Sequence, residues 1–574
     1  MHPLAWCLLW MLAHVASRVA VSPALELDEA EQALWSQTLA WGYGSQPPLY
    51  TWLQAGWFAL LGPSVLALSS LKFMLLGLTL VLVWRTALPL MPERAALWAA
   101  ASLLLIPAMG WESLRDLTHS VLLTCLVAAT WWALLRQLRQ PRPAGFALLG
   151  LLLGLGMLSK YSFALFAAVL GGALLSLPAG RALLRERGGW WLPVLALLVV
   201  LPHGLWLLEH WQAASAPTMG KLQSVGDQHP VVRGVLSLAK AVLANLLLFA
   251  LLALVTFRSG WWRSTPPPAV AEPSPGPGLS DSVLPLFGRY VLLLALALAA
   301  LVVVGGVTHI KGRWLYPLLC TVPLMAFAWR PGLAGHRGGR LFGGMLLGMA
   351  VLVWLALSLR VWANGQRGAP DELNEPVAAL AGALRAAGYD GRSPIVAGDA
   401  VLAGQLRLQF VQAPVSVCKV PAPQATPPTE PPAGACAVEV LRGGADQRWL
   451  QVARGAPQPP SGWWHTPALP TTPVTLELPY LHAKAGQPPM RYQFLWHPAL
   501  AAPLLPHPDP PTHCLRHEHC ACHWRCRIHR NARLRPPAGA RRHRGRHRQP
   551  QCLLRPGAER SAAGAPVAAP ELPL

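Results

Sequence analysis

Long apolar runs dominate the first 361 residues, near 4–20, 64–84, 95–109, 117–135, 145–158, 161–178, 190–208, 234–256, 288–306, 314–329 and 341–361. A helix needs about 20 mostly apolar residues to cross bilayer hydrocarbon, so the pattern predicts an all-α polytopic membrane region over 1–361 with about eleven spans. Only Ser159 and Lys160 separate the runs 145–158 and 161–178, which read either as two helices around a tight turn or as one long kinked helix. The stretch 29–41 has amphipathic spacing, with Leu34, Trp35, Leu39 and Trp41 expected toward lipid until Pro47 and Pro48 stop it.

The pattern changes after the last run. "DELNEPVAALAGALRAAGYDG" has helical spacing and ends at Gly388; "PIVA", "AVLAGQLRLQF" and "PVSV" then alternate strand, helix and strand. This predicts a small C-terminal α/β domain over 362–502. Cys418 and Cys436 fall inside it, either paired in an oxidising compartment or left as two thiols. The segment 258–287, with Pro266 to Pro268 and "AEPSPGPGLSD", reads as a linker. Residues 503–574 form a tail dense in His, Cys and Arg. Cys514, Cys520, Cys522 and Cys526 with His519 and His523 are metal-ligand types. Their spacing makes no clean pair of CxxC knuckles, and the alternative is a disordered or aberrant tail without a site.

Composition supports the membrane reading. Of 574 residues, 53% are hydrophobic and 13% charged, about half the charged share of a soluble domain. The net charge of +22 is concentrated in the tail and in short loops, which makes it a topology signal rather than a nucleic-acid footprint. One set of alternate loops carries Arg85 and Arg94; Arg136, Arg139 and Arg142; Arg181, Arg185 and Arg187; Arg258 and Arg263; and Arg330, Arg337 and Arg340. The other set is poorer in Arg and Lys. The first set is therefore expected on the cytoplasmic side, with the amino terminus, and the α/β domain outside. Residues 1–20 are expected to be a retained first helix rather than a cleaved signal peptide, because their beginning lacks Lys and Arg.

Ionisable residues in a membrane protein are costly and tend to mark function. On the expected outer side they form four groups. Glu26, Asp28, Glu29 and Glu31 follow the first run, and the stretch 26–53 holds no Lys or Arg to balance them, as suits a general base, a metal site or both. In "GWESLRDLTHS", Glu112 with Asp116 and Arg115 with His119 are four apart, so on one helix each pair shares a face. This arrangement suits either substrate binding or a local ion-pair network. Lys160 and Tyr161 end an apolar run, where the lysine either snorkels or binds a phosphate. His309, Lys311 and Arg313 crowd one short loop and read as a phosphate clamp; His203, Glu209 and His210 end another span and are expected near the same cavity. Bases beside carboxylates at one membrane face suit transfer of a group from a lipid-phosphate carrier to a hydroxyl. A transporter or flippase of lipid-linked sugars is the rival reading. It predicts internal repeats and charges near the midplane, and neither is visible in the chain.

The stretches "DEAEQALWSQTLAWGYGSQPPLYTWL", "GLGMLSKYSFALF", "LPHGLWLLEH" and "KGRWLYPLL", in this order, resemble bacterial members of the dolichyl-phosphate-mannose protein mannosyltransferase-like, or ArnT-like, glycosyltransferases over about residues 1–500. The resemblance implies a fold of the GT-C type, a polyprenyl-phosphate sugar donor and an inverting reaction. The acceptor would be a glycolipid such as lipid A, a polysaccharide or a protein, and the location the bacterial inner membrane with a periplasmic site. It further implies Asp28 as catalytic base with Glu29 as its companion, and Lys160 and Arg313 facing the carrier phosphate. No cofactor is required, although a divalent metal near Glu29 or Glu112 is compatible with the residues. Where family members often carry Asp-His before the Pro-Pro pair, this chain has Ser45 and Gln46, which touches substrate choice rather than Asp28.

Overall fold

The computed structural model describes residues 2–222, 229–258, 260, 279–417, 448–455 and 473–497. Cys418, Cys436, most of the linker and the whole His/Cys/Arg tail lie outside the described residues.

The chain runs through α1 (Pro3–Val21), α2 (Leu27–Trp35), α3 (Leu49–Leu61), α4 (Val65–Ala87) and α5 (Glu93–Ala101). A 3₁₀ turn over Ser102–Leu105, a π turn over Ala108–Glu112 and the single turn α6 (Ser113–Arg115) follow. Next come α7 (His119–Arg139), α8 (Pro143–Ser159), α9 (Phe163–Leu175), α10 (Pro178–Leu184), α11 (Trp191–Glu209), α12 (Trp211–Leu222), α13 (Pro230–Thr256) and α14 (Leu279–Val303). The helical part closes with α15 (Gly312–Leu319), α16 (Val322–Trp329) and α17 (Gly338–Arg367).

Among the described residues, seven helices are long and apolar enough to cross a membrane. Two bent pairs raise the number to nine: Glu93–Leu105 with Ala108–Arg115, bent by 76°, and Phe163–Leu175 with Pro178–Leu184, bent by 107°. The difference from eleven has local causes. The helix Pro143–Ser159 has 17 residues, and the run 314–329 is divided between α15 and α16 at Cys320 and Thr321. Proline accounts for the bends, since Pro107 and Pro178 open the second arm of each pair and a proline cannot extend the helix before it. At the first bend a Cβ on Gly110 would lie 1.9 Å from the Leu104 carbonyl oxygen, so only glycine lets the chain fold back this closely. Lys160 to Ser162 form a tight turn between α8 and α9, which settles that alternative in favour of two helices. The expected linker is shorter than 258–287, because Leu279 already opens α14.

The helices pack around a core in which Trp131 meets Phe287 and Tyr290 edge-on at 5.4 and 5.1 Å. Their outer faces are apolar and uncovered, as at Leu197, Leu208, Leu236 and Leu352, all more than half exposed. Such surface has no favourable place in water and suits lipid.

The α/β part holds α18 (Val377–Ala386), β1 (Ile395–Ala397), α19 (Ala400–Gln409), β2 (Val415–Val417), β3 (Trp449–Arg454), β4 (Val474–Leu478) and β5 (Met490–His497). The sheet order is β2-β1-β3-β5-β4, with β1 parallel to β2 and β3, and β5 antiparallel to β3 and β4. The expected helix ending at Gly388 and the strand–helix–strand order are both present. Gly388 has φ +89°, a conformation that glycine adopts without strain. Asp399 caps α19 by accepting from the Leu402 amide at 2.9 Å. The helix α2 packs against α19, and Leu34 joins the core of the α/β part. The amphipathic helix is therefore Leu27–Trp35 rather than 29–41, and Leu34 turns to protein instead of lipid. Leu39 and Trp41 lie beyond its end and are exposed.

Candidate active site

The first turn of α2 carries three carboxylates with three different fates. Glu26 and Glu29 form a capping box, each side chain serving the other's amide, with Glu29 accepting from the Glu26 N–H at 3.3 Å. Glu29 is buried. Arg18 of α1 reaches it at 2.6 Å and Lys72 of α4 at 3.0 Å, both cations also buried. Burial alone would raise the Glu29 pKa, but the charges of Arg18 and Lys72 outweigh it and hold the carboxyl at about 2. Glu26 pairs with Arg360 of α17 and lies 3.8 Å from Arg115; Arg360 also bonds Asp371 at 2.9 Å. Two members of the acidic group that looks unbalanced in sequence, Glu26 and Glu29, are thus neutralised by cations from α1, α4, α6 and α17.

Asp28 is placed differently: the residue is half-buried and its carboxylate faces Thr118. Its Oδ2 accepts from the Thr118 amide at 3.1 Å and from the Thr118 hydroxyl at 3.3 Å. Its own amide donates to Asp116 Oδ1 at 3.0 Å. Surrounding protein raises its pKa; the charge of Lys160, the Thr118 bonds and the charge of Arg313 offset part of that rise. Asp116 is pushed up to about 7 by burial and then by the neighbouring Asp28 charge. The result is a carboxyl pair of raised proton affinity with two cations within electrostatic reach. A group of this kind takes a proton near neutral pH.

The supporting side chains come from chain ends and breaks. The chain does not run as one helix through 112–119; it breaks at Asp116 to Thr118. The expected shared face for Arg115 with His119 therefore does not form, whereas Glu112 and Asp116 stay one helical turn apart, the Asp116 amide donating to the Glu112 carbonyl at 2.8 Å. The break sends Asp116 and Thr118 to Asp28. His119 goes to Gln32, whose amide nitrogen lies 3.1 Å from His119 Nε2, and Thr51 donates to the Gln32 carbonyl oxygen at 3.0 Å. Ser120 accepts from Lys160 Nζ at 2.7 Å. Three successive residues, Thr118, His119 and Ser120, thereby tie together Asp28, Gln32 and Lys160. Tyr161 stacks on His203 at 5.8 Å, and His203 Nδ1 lies 2.6 Å from the Trp41 carbonyl oxygen, which brings the "LSKY" and "LPHG" stretches together. The basic loop is pinned to α13: the Ile310 amide donates to Ser237 at 2.8 Å, and Asn245 donates to the Gly312 carbonyl at 3.0 Å. From that loop Arg313 acts on Asp28, Lys311 occupies the N-cap of α15, and the exposed His309 meets Trp314.

Of the expected residues, the structure brings together Asp28, Asp116, Lys160 and Arg313. Glu29 lies behind Asp28 in its ion pairs. Arg115 is exposed beside Glu26, and the half-buried Glu112 ends the π turn on the side of Tyr316. Arg18, Lys72, Arg360, Gln32 and Thr118 are absent from the sequence expectation. For the three cations a signal existed, since each interrupts an apolar helix where a charge is expensive. Thr118 and Gln32 carry no such mark. Among the described residues no three His, Cys, Asp or Glu side chains are grouped to hold a metal ion, and both Glu29 oxygens are already taken by cations.

Residues 45–206 match the family model described as dolichyl-phosphate-mannose-protein mannosyltransferase. Over 417 residues the chain is 34% identical to the lipopolysaccharide core galacturonosyltransferase RgtB of Rhizobium johnstonii, covering 71% of this chain and 81% of that protein. It is 30% identical over 423 residues to the lipopolysaccharide core galacturonosyltransferase RgtA of the same organism, covering 72% and 81%. Among solved structures, ArnT from Cupriavidus metallidurans bound to undecaprenyl phosphate is similar with a TM-score of 0.48 and 14% identity, covering 79% of this chain and 94% of that one. The transporter reading gives way, and the chain belongs to the family of membrane glycosyltransferases that includes the lipopolysaccharide core galacturonosyltransferases of Rhizobium.

Proposed function

We propose that the protein transfers a sugar, a uronic acid in the first instance, from a polyprenyl-phosphate carrier to a hydroxyl of lipopolysaccharide. The observation that carries this reading is the separation of roles among the carboxylates of α2. Glu26 and Glu29 are spent on ion pairs, whereas Asp28 is held by Thr118 and has a raised proton affinity within reach of the Lys160 and Arg313 charges. In the proposed step the acceptor oxygen attacks the anomeric carbon as Asp28 takes its proton. The bond from that carbon to the carrier phosphate breaks, and the phosphate leaves with the electron pair. Lys160 and Arg313, with Lys311 and His309 behind them, stabilise the charge that develops on the phosphate. The sugar and the acceptor are suggested by the relatives RgtB and RgtA. The excess of Arg in alternate loops supports an inner-membrane protein with this site and the α/β part on the periplasmic side.

The test is transfer by the purified, detergent-solubilised protein from a panel of polyprenyl-phosphate sugars, with galacturonate among them, to lipopolysaccharide, comparing wild type with Asp28→Asn. Transfer by wild type and loss of at least 100-fold in Asp28→Asn is expected. A fully active Asp28→Asn protein would sink the base assignment, and transfer from no carrier would sink the donor.

A further inference from the structure

We propose that the α/β part is a working component of the catalytic site: through Gly404 it sets the position of α2, and with it the carboxylate of Asp28. The inference rests on Asp28 being the base.

Gly404 lies in the middle of α19, where glycine is less favourable than alanine by about 1 kcal/mol. The space around it explains its presence. A Cβ at 404 would stand 2.2 Å from the carbonyl oxygen of Ala30, 2.5 Å from its Cα and 2.6 Å from its carbonyl carbon. These are backbone atoms of α2, two residues beyond Asp28, and no side-chain rotation relieves the overlap. Ordinary Cβ contacts begin at 3.4 Å, so even one methyl group forces the two helices apart by about 1 Å.

The contact is one of three grips on α2. Before it, the Leu27 amide donates to Glu372 at 3.2 Å. After it, the Gln37 side chain reads both backbone groups of Val415, accepting from its N–H at 3.0 Å and donating to its carbonyl at 2.9 Å. Val415 opens β2, which is at the edge of the sheet, so Gln37 supplies the pairing that a further strand would give. Between these ends Ala30 and Ala33, and just before them Leu25, are buried with Val401. On its other side, α2 presents Asp28 to Thr118 through bonds of 3.1 and 3.3 Å. Bonds this directional do not survive a displacement of about 1 Å, whereas Lys160 and Arg313 sit on other elements and stay in place.

The experiment compares four full-length variants with wild type: Gly404→Ala, Gly382→Ala, Gln37→Met and Asp28→Asn. Gly382 is an exposed glycine in α18 with open space around it and serves as the control. The readouts are kcat, KM for the carrier sugar, the pH profile of kcat and the thermal transition. Gly404→Ala is expected to lower kcat on the order of 10- to 100-fold at nearly unchanged KM, the effect of misplacing a reacting group by about 1 Å. Its pH profile is expected to move toward alkaline values as the Thr118 bonds are lost. Gly382→Ala should match wild type within twofold. If Gly404→Ala does not fold, Gln37→Met removes both Val415 bonds of the same interface while keeping an unbranched side chain of the same length, and should show the same signature at several-fold size. Wild-type kcat in both interface variants, or a loss of kcat with an unmoved pH profile, overturns the proposal as long as Asp28→Asn is inactive. An active Asp28→Asn protein instead removes the base on which the proposal stands.

Discussion

Replacing Glu29 by glutamine probes the joint that holds the candidate site. The change keeps the shape of the side chain but removes the one negative charge between Arg18 and Lys72, which approach it at 2.6 and 3.0 Å. All three side chains are less than a tenth exposed, so water cannot replace the lost partner. Two independent routes give similar magnitudes. A broken buried ion pair costs about 3–5 kcal/mol, because the surviving charge is left uncompensated. The Glu29 carboxyl, held at about 2 instead of its ordinary 4.5, corresponds to a stabilisation on the order of 3 kcal/mol. The depressed value also sets the sign with pH. The contribution is complete above about 4.5 and is lost as pH falls toward 2. Thermal unfolding in detergent at pH 7 should therefore show a Glu29→Gln transition lowered by several degrees, with the difference from wild type shrinking on acidification. Pairing the change with Lys72→Met removes one stranded cation and should recover part of the loss in both stability and turnover. A single variant that melts within one degree of wild type and keeps its kcat would refute the reasoning.

Further outcomes follow from the same geometry. Lys160→Met and Arg313→Met should each lower kcat by about 10²-fold with smaller changes in KM, since charge stabilisation of a leaving phosphate grows toward the transition state; a change confined to KM would reassign them to ground-state binding. Asp116, with its pKa of about 7 in the folded protein against 3.8 ordinarily, makes activity and stability move in opposite directions with pH. Between these values the folded protein holds a proton that the unfolded chain has released. Its stabilising contribution is complete below about 3.8 and declines as pH rises through 7. Turnover should instead rise through the same region as the Asp28–Asp116 pair loses its proton. Asp116→Asn should flatten both profiles, and a wild-type profile in that variant would show that the pair does not govern them.

Much of this protein was already legible along the chain, because what specifies it is local. Apolar runs of bilayer length determine helices wherever they occur, and the alternation of "PIVA", "AVLAGQLRLQF" and "PVSV" determines strand, helix and strand by its own periodicity. The stop at Gly388 needs only a residue that tolerates positive φ. The acidic group at 26–31 and Lys160 could be singled out because a charge at the edge of an apolar run is costly wherever the rest of the chain goes, while Asp28 within that group was pointed to by the family resemblance alone. What the tertiary structure decided is which charges meet. Glu29 finds Lys72 across 43 residues, and Glu26 finds Arg360 across 334, separations at which sequence spacing carries no geometric information. The acidic group therefore looks free in the sequence, while in the fold Glu26 and Glu29 are held in ion pairs. The break at Asp116 to Thr118, which sends three neighbouring residues to three different partners, overrides a helical spacing that looked continuous. The contact of Gly404 with Ala30 has no sequence signature, since a glycine in a helix becomes informative only once the backbone it admits is known. Local chemistry thus determined the elements and the costly residues. Long-range packing committed Glu26 and Glu29 to ion pairs and set Asp28 against Thr118 and Asp116.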